Sequence, residues 1–268
     1  LDDSFIQNDR KLIKPFELDI VSHKHKLAIE FCGVYWHSSS HKDKMYHFKK
    51  FDMCRKNGYN LITIFESDDL SKIKSLIRTK LGLNKHRVYA RNTRLEKISN
   101  KEAKEFQEKH HLSGGINSKI NYGLKINDEV VMIASFSRSR FSKEFCYECT
   151  RMTSHSDYSV IGGASKLFKN FFKDYDVKKC ITYSDLRFGE GLTYLKCGFK
   201  KTHETKPNYW YFKNDLILES RLKYQKHKLK SLFPKDYDDR LTEHEIMSNA
   251  GYNRIFDCGN SVYVFEKV

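Results

Sequence analysis

The chain has 268 residues, 39% hydrophobic and 14% aromatic, which is enough for about two packed domains and rules out a disordered tail. Lys and Arg number 49 against 34 Asp and Glu, a formal charge of +15, so a polyanion is the first partner expected. No apolar run approaches the ~18 residues of a membrane span, and the N-terminus is too polar for a signal peptide; a soluble, intracellular protein is expected, with no membrane partner.

In chain order, Phe16 to Ser22 alternates and, after His23-Lys24-His25-Lys26, the pattern resumes as Leu27-Ala28-Ile29-Glu30-Phe31-Cys32, which predicts a hairpin broken by Gly33. Met45, Phe48, Phe51 and Cys54 predict a helix over about 40–56, stopped by Asn57-Gly58. Leu61 to Phe65 reads as a buried strand. Ser67-Asp68-Asp69 can cap a helix carrying Leu70, Ile73, Ile77 and Leu81 on one face. The grammar changes near 83–88, so the domains expected are 1–84, 85–220 and 221–268.

Beyond that boundary, Lys101 to His110 reads as helix. Tyr122–Ile126 and Val130–Phe136 flank Asn127-Asp128-Glu129 as a hairpin, and Phe145–Thr150 is a further strand. Ile161-Gly162-Gly163-Ala164 opens a helix to about Tyr175; a strand at 179–183, a helix from about Gly191 and a strand at 208–212 follow. Arg221 to Lys230 is basic and helix-prone, and a final hairpin is expected over 253–265, turning at Gly259-Asn260. Seven cysteines make an odd count that fits a reducing compartment. The close pair, Cys146 and Cys149, has no second ligand pair at zinc spacing, so it reads as strand and no structural zinc is expected there.

The chemistry-bearing pattern is at the front. Glu17-Leu18-Asp19 lies on the first strand and Glu30 near the end of the second, so pairing can bring three carboxylates together. Each acid alone reads as a solvated strand-edge residue. Glu30 is different, because its neighbours are apolar and an unpaired charge there is costly. Magnesium or manganese would resolve the repulsion, activate a water and stabilise phosphodiester cleavage.

The run Glu17-Leu18-Asp19-Ile20, followed by Ile29-Glu30-Phe31-Cys32-Gly33-Val34-Tyr35-Trp36-His37-Ser38, resembles the core of the very-short-patch repair endonucleases. It is similar above all to the Vsr-like, phage-borne homing endonucleases of the EDxHD group within the PD-(D/E)XK superfamily. The likeness covers roughly residues 10 to 80. It implies an α/β (α+β) fold with a PD-(D/E)XK-type mixed sheet and flanking helices. It also implies Asp19 and Glu30 as ligands of Mg2+ (or Mn2+), His37 as the group activating the attacking water, and Glu17 as the extra acid.

Tyr35 and Trp36 correspond to aromatics that wedge between base pairs in the repair family. Cys32 stands where the superfamily has a lysine, so His41, His47 and Lys50 on the following helix are candidates to assist the water and to meet DNA. Each could equally be solvated helix face. The localisation implied is the cytoplasm of a phage-infected bacterium.

The second domain, with Tyr194-Leu195-Lys196-Cys197-Gly198-Phe199 near its end, resembles the GNAT acyltransferases, whose pre-helix glycine loop holds the pyrophosphate of acetyl-CoA. Gly162 and Gly163 are the cofactor-binding residues this implies, but no basic residue opens the loop and retention of acetyl-CoA is not expected. Arg138 and Arg140 lie on loops suited to phosphate contact, and 221–268 forms a small basic C-terminal element. The expected function is a metal-dependent endodeoxyribonuclease acting on double-stranded DNA. The alternatives are a GNAT-type acyltransferase modifying nucleic acid with an inactive nuclease-like module, and a DNA-binding protein without chemistry.

Overall fold

The alternating segments at the front form strands, and the computed structural model, which describes residues 4–140, 142 and 144–267, places them in a four-stranded sheet. Its strands are β1 (Phe5–Asp9), β2 (Leu18–Ser22), β3 (Leu27–Cys32) and β4 (Asn60–Phe65), with α1 (Tyr46–Lys56) between the last two. β1, β2 and β3 pair antiparallel in turn; β3 and β4 pair in parallel, which requires the crossover that α1 supplies. β1 is not foreshadowed by alternation: it is an edge strand whose central residues Ile6, Gln7 and Asn8 face solvent.

The chain divides into two units that interleave in sequence. The first takes the chain up to Asp68, Asp185–Gly189 and Thr205–Asn260; the second takes Asp69–Ser184, Glu190–Glu204 and the residues from Ser261 onward. The expected division at residues 84 and 220 is linear, whereas the observed one returns twice to the first unit. α2 (Leu70–Lys80), capped as expected by Asp69, belongs to the second unit, where Ser75 Oγ donates to Ser156 O at 2.9 Å.

The chain continues through β5 (His86–Tyr89), β6 (Arg94–Lys97), α3 (Asn100–His110), β7 (Ile120–Ile126), β8 (Glu129–Ser137), β9 (Tyr147–Ser154), β10 (Tyr158–Ile161), α4 (Gly163–Asp174), β11 (Lys179–Asp185) and β12 (Lys200–Glu204). Back in the first unit come β13 (Tyr209–Phe212), β14 (Glu219–Ser220), α5 (Lys226–Leu232), α6 (Glu243–Asn249) and β15 (Asn253–Phe256), before β16 (Asn260–Glu266) ends the chain in the second. The second unit's main sheet has seven strands in the order β12-β16-β11-β9-β8-β7-β6, beside a parallel pair β10-β5; β14-β13-β15 form a small sheet of the first unit.

The architecture is mixed α/β. β8 is apolar on both faces from Val130 to Ala134 because both are covered: Ile133 packs on Ala103 of α3, while Met132, Ala134 and Phe136 pack toward Leu167, Phe168 and Phe171 of α4. The stacked rings of Phe136 and Phe171 lie 3.6 Å apart at their centroids.

Two expected elements are absent. The helix from Gly191 is a single 3-10 turn at Leu195–Cys197, because Gly189, Gly191 and Gly198 all take positive φ. The C-terminal hairpin is not formed either: β15 pairs with β13, β16 with β12, and Gly259 between them has φ +80 with no room for a Cβ against Thr205 O. Among the described residues no helix is long and apolar enough to cross a membrane.

Candidate functional site

In the first unit, one face of β3 meets one face of α1 in three steps. Ala28, Glu30 and Cys32 alternate onto the same side of the strand, and His47, Lys50 and Cys54 share a helix face at spacings of three and four. Ala28 joins Cys54 in an apolar cluster; Lys50 Nζ donates to Glu30 Oε1; Cys32 and His47 bring their ligand atoms within 4.8 Å of each other and of His37. Glu30 and Lys50 are 4% and 3% exposed. Burial pushes the Glu30 carboxyl above its ordinary range against the opposing pull of Lys50.

This arrangement gives each expected residue a partner within the chain. Asp19 and Glu30 do come together, on paired strands and near enough for the Asp19 carboxylate to push the Glu30 carboxyl up. Yet Glu30 spends one oxygen on Lys50, while Asp19 Oδ2 accepts from Phe31 N at 2.6 Å and Glu17 Oε2 from Arg10 Nε at 2.8 Å. The positive charge among these acids is the chain's own ammonium.

His37 turns to His47, with Nδ1 3.1 Å from Nε2, and His47 Nδ1 lies 2.6 Å from Phe256 O. Burial lowers both imidazoles, His37 to about 4 and His47 to about 3, so both rings are neutral near pH 7. His47 and Lys50 are buried, which removes them from any DNA-contacting surface and also from the solvated face otherwise expected. Tyr35, Trp36 and His41 are exposed and form one aromatic cluster, with Tyr35 and Trp36 centroids 5.1 Å apart and Tyr35 and His41 4.9 Å apart.

In the second unit, β9 and β11 run parallel and pair from Tyr147–Cys180 to Cys149–Thr182, after which the two strands part. A bulge in the β8–β9 register falls at the same level, between Ser135 and Phe136. Toward this opening come Arg151, whose guanidinium donates to Gly114 O and Thr150 O, and Tyr194, hydrogen-bonded to Thr182. Burial raises the Tyr194 phenol, so it keeps its proton across the physiological range. Tyr194 shares its 3-10 turn with Cys197, whose Sγ lies 3.7 Å from Ser165 Oγ in the first turn of α4.

α4 starts at Gly162, in left-handed conformation at φ +78, with no side-chain cap; the first helical bond is Lys166 N to Gly162 O. The amides of Gly163, Ala164 and Ser165 therefore have no intrahelical acceptor. Gly162 and Ser165 are exposed, whereas Gly163 is buried and a Cβ on it would lie 2.5 Å from Met132 Sδ. Lys166 is committed to Ala90 O and Thr93 O. Arg138 is exposed, and Arg140 is forked onto Glu148. Cys149 is a β9 residue as expected, and Cys146 precedes the strand and is exposed. Tyr194 stands in the segment that carries the acyltransferase resemblance, whereas Arg151 and Ser165 are residues that sequence reasoning did not place here; the signal for them was their nearness to the strand end and the glycine loop.

No protein-family model and no curated protein matches the chain. Solved structures do. An acetyltransferase from Bacillus subtilis in complex with CoA shares 12% identity, covering 66% of this chain and 99% of its own at a TM-score of 0.36. A GNAT-family acetyltransferase from Elizabethkingia anophelis with acetyl-CoA bound shares 13%, covering 66% and 99% at 0.35. The ribosomal-protein-S18-alanine N-acetyltransferase from Escherichia coli shares 10%, covering 65% and 93% at 0.36.

These comparisons overturn the Vsr-like, EDxHD endonuclease resemblance, the hydrolase assignment, and the Mg2+ or Mn2+ cofactor. Against the expectation that acetyl-CoA is not used, two of these three structures hold CoA or its acetyl ester. The likeness is a partial one of fold, and the functional reading rests on this chain's own residues.

Proposed function

We propose that the second unit binds a coenzyme A thioester and transfers its acyl group to an amine or hydroxyl acceptor, in the manner of the GNAT fold. The observation that carries the reading is the uncapped start of α4, with Gly162 and Ser165 exposed, joined through Cys197 and Tyr194 to the place where β9 and β11 part. The residues fit the group: the amides of Gly163, Ala164 and Ser165 have no acceptor within the helix and stand at the positive end of its dipole, a donor set suited to a diphosphate. When bound, the thioester supplies an activated acyl carbon. Gly162 turns the chain so that the amides converge, the parted strands leave main-chain groups of β9 open to an extended ligand, and Tyr194 holds a proton on Oη.

The acceptor class we propose is nucleic acid, with duplex DNA as the form to test first. The +15 charge supports a polyanion; exposed Arg138 in the second unit offers phosphate contact and, separately, the Tyr35, Trp36 and His41 cluster in the first offers stacking.

Titration calorimetry with acetyl-CoA tests the cofactor. Saturable binding is expected, and Ser165→Glu, an exposed change that also suits the helix dipole, is expected to weaken it at least tenfold while leaving the fold intact. Absence of binding by the unaltered chain, or unchanged affinity in the variant, refutes the reading.

A further inference from the structure

The first unit holds a group of donors that acyl transfer does not use. Cys32, His37 and His47 each offer one ligand atom, and the three atoms lie within 4.8 Å of one another. His37 Nδ1 and His47 Nε2 are 3.1 Å apart, close to the roughly 3.3 Å edge that metal–nitrogen bonds of ~2.0–2.1 Å give around a tetrahedral ion. His47 is also oriented as metal-bound imidazoles are: Nδ1 donates to the Phe256 carbonyl at 2.6 Å, which fixes the tautomer and leaves Nε2 a bare lone pair aimed into the group. Cys32 is fully buried and His47 is 2% exposed, while His37, half-buried, stands on the accessible side.

A second, independent observation points the same way. Glu30, two residues before Cys32 on the same face of β3, leaves Oε2 buried without a hydrogen-bond partner. A buried carboxylate oxygen in that state is costly. Added positive charge beside it would offset the cost.

We infer that Cys32, His37 and His47 form a binding site for a zinc-class divalent ion, with one coordination position left for water. One thiolate and two imidazoles select borderline and soft metals over magnesium. As the metal–sulfur bond forms, the Cys32 thiol gives its proton to solvent, and the neutral imidazoles bind without losing one. The inference stands apart from the acyltransferase reading, since it concerns a different unit and different residues.

The probe is Co2+ added to the full chain after chelator treatment. One equivalent is expected to produce visible bands of four-coordinate intensity and a near-ultraviolet sulfur-to-cobalt charge-transfer band, both bleached by Zn2+. Cys32→Ser should remove the near-ultraviolet band and Cys146→Ser should keep it. His37→Ala, on the accessible side, should leave the circular dichroism unchanged and weaken Co2+ binding at least tenfold; it decides the matter alone if Cys32→Ser does not fold. No band in the unaltered chain, a band that survives Cys32→Ser, or undiminished affinity in His37→Ala overturns the site and means that the two imidazoles merely share a proton.

Discussion

Asp257 gives the sharpest stability test. It sits between β15 and β16 at 3% exposure, with Oδ1 accepting from Asn208 N at 2.6 Å and Gly259 N at 2.8 Å. Burial, and then the neighbouring Asp185 carboxylate, push its carboxyl from 3.8 up to about 7. An acid raised in the folded state contributes stability that is whole below its unfolded pKa and disappears as pH rises through the folded one. The window is therefore about pH 4 to 7, with stability falling as pH rises. Three pKa units at ~1.36 kcal/mol each give about 4 kcal/mol as the upper value, shared with Asp185 because the two titrate together. Asp257→Asn keeps the accepting oxygen and removes the charge. Urea unfolding of both proteins across pH 4 to 8 should show the variant gaining on the unaltered chain by up to about 4 kcal/mol, nearly all of it by pH 7. A stability gap that does not change with pH would refute the argument.

Three further outcomes are expected. Lys50→Met strands the Glu30 carboxylate and should cost about 3–5 kcal/mol in denaturant unfolding near neutral pH, with Glu30→Gln added in the same chain recovering most of it. Phe171→Ala removes the ring stacked on Phe136 and should cost about 3–5 kcal/mol in the same measurement. Trp36→Ala, at a side chain in a residue 67% exposed, should leave stability within about 0.5 kcal/mol while weakening oligonucleotide binding by about 1–3 kcal/mol in fluorescence anisotropy. Unchanged affinity in that variant would remove the aromatic cluster from the proposed interface.

Where hydrophobic period and turn chemistry agreed, the chain was readable. The hairpin of β2 and β3, the Asp69 cap of α2, the β7–β8 hairpin across Asn127 and Asp128, and α4 after its glycines all lie close to where their residues place them. β1 and the end of the chain were not readable, for different reasons. β1 is polar because solvent covers its outer residues, and β15 and β16 look like hairpin arms because a break at Gly259 cannot be told from a tight turn without knowing which sheet each strand joins. The interleaving of the units has the same origin: short returns such as Asp185–Gly189 carry no composition shift.

The misread site has a single physical cause. His47 and Lys50 are polar residues on the buried face of α1, so a rule that assigns polar positions to solvent places them outside, and hydrophobic spacing then favours Phe48 and Met45. What hides them is pairing: Lys50 meets Glu30 and His47 meets Phe256 O, and each partner lies on another strand, 20 and 209 residues away in sequence. Glu30 was recognisable as a charge among apolar neighbours because its own strand showed the conflict; its counterion was not, because a helix tolerates lysine everywhere. A ladder of one ion pair and one imidazole contributes less stability than apolar residues of the same size would. Its presence in the middle of the first unit, ending at three converging donor atoms, is therefore better explained by something bound there than by the requirements of the fold.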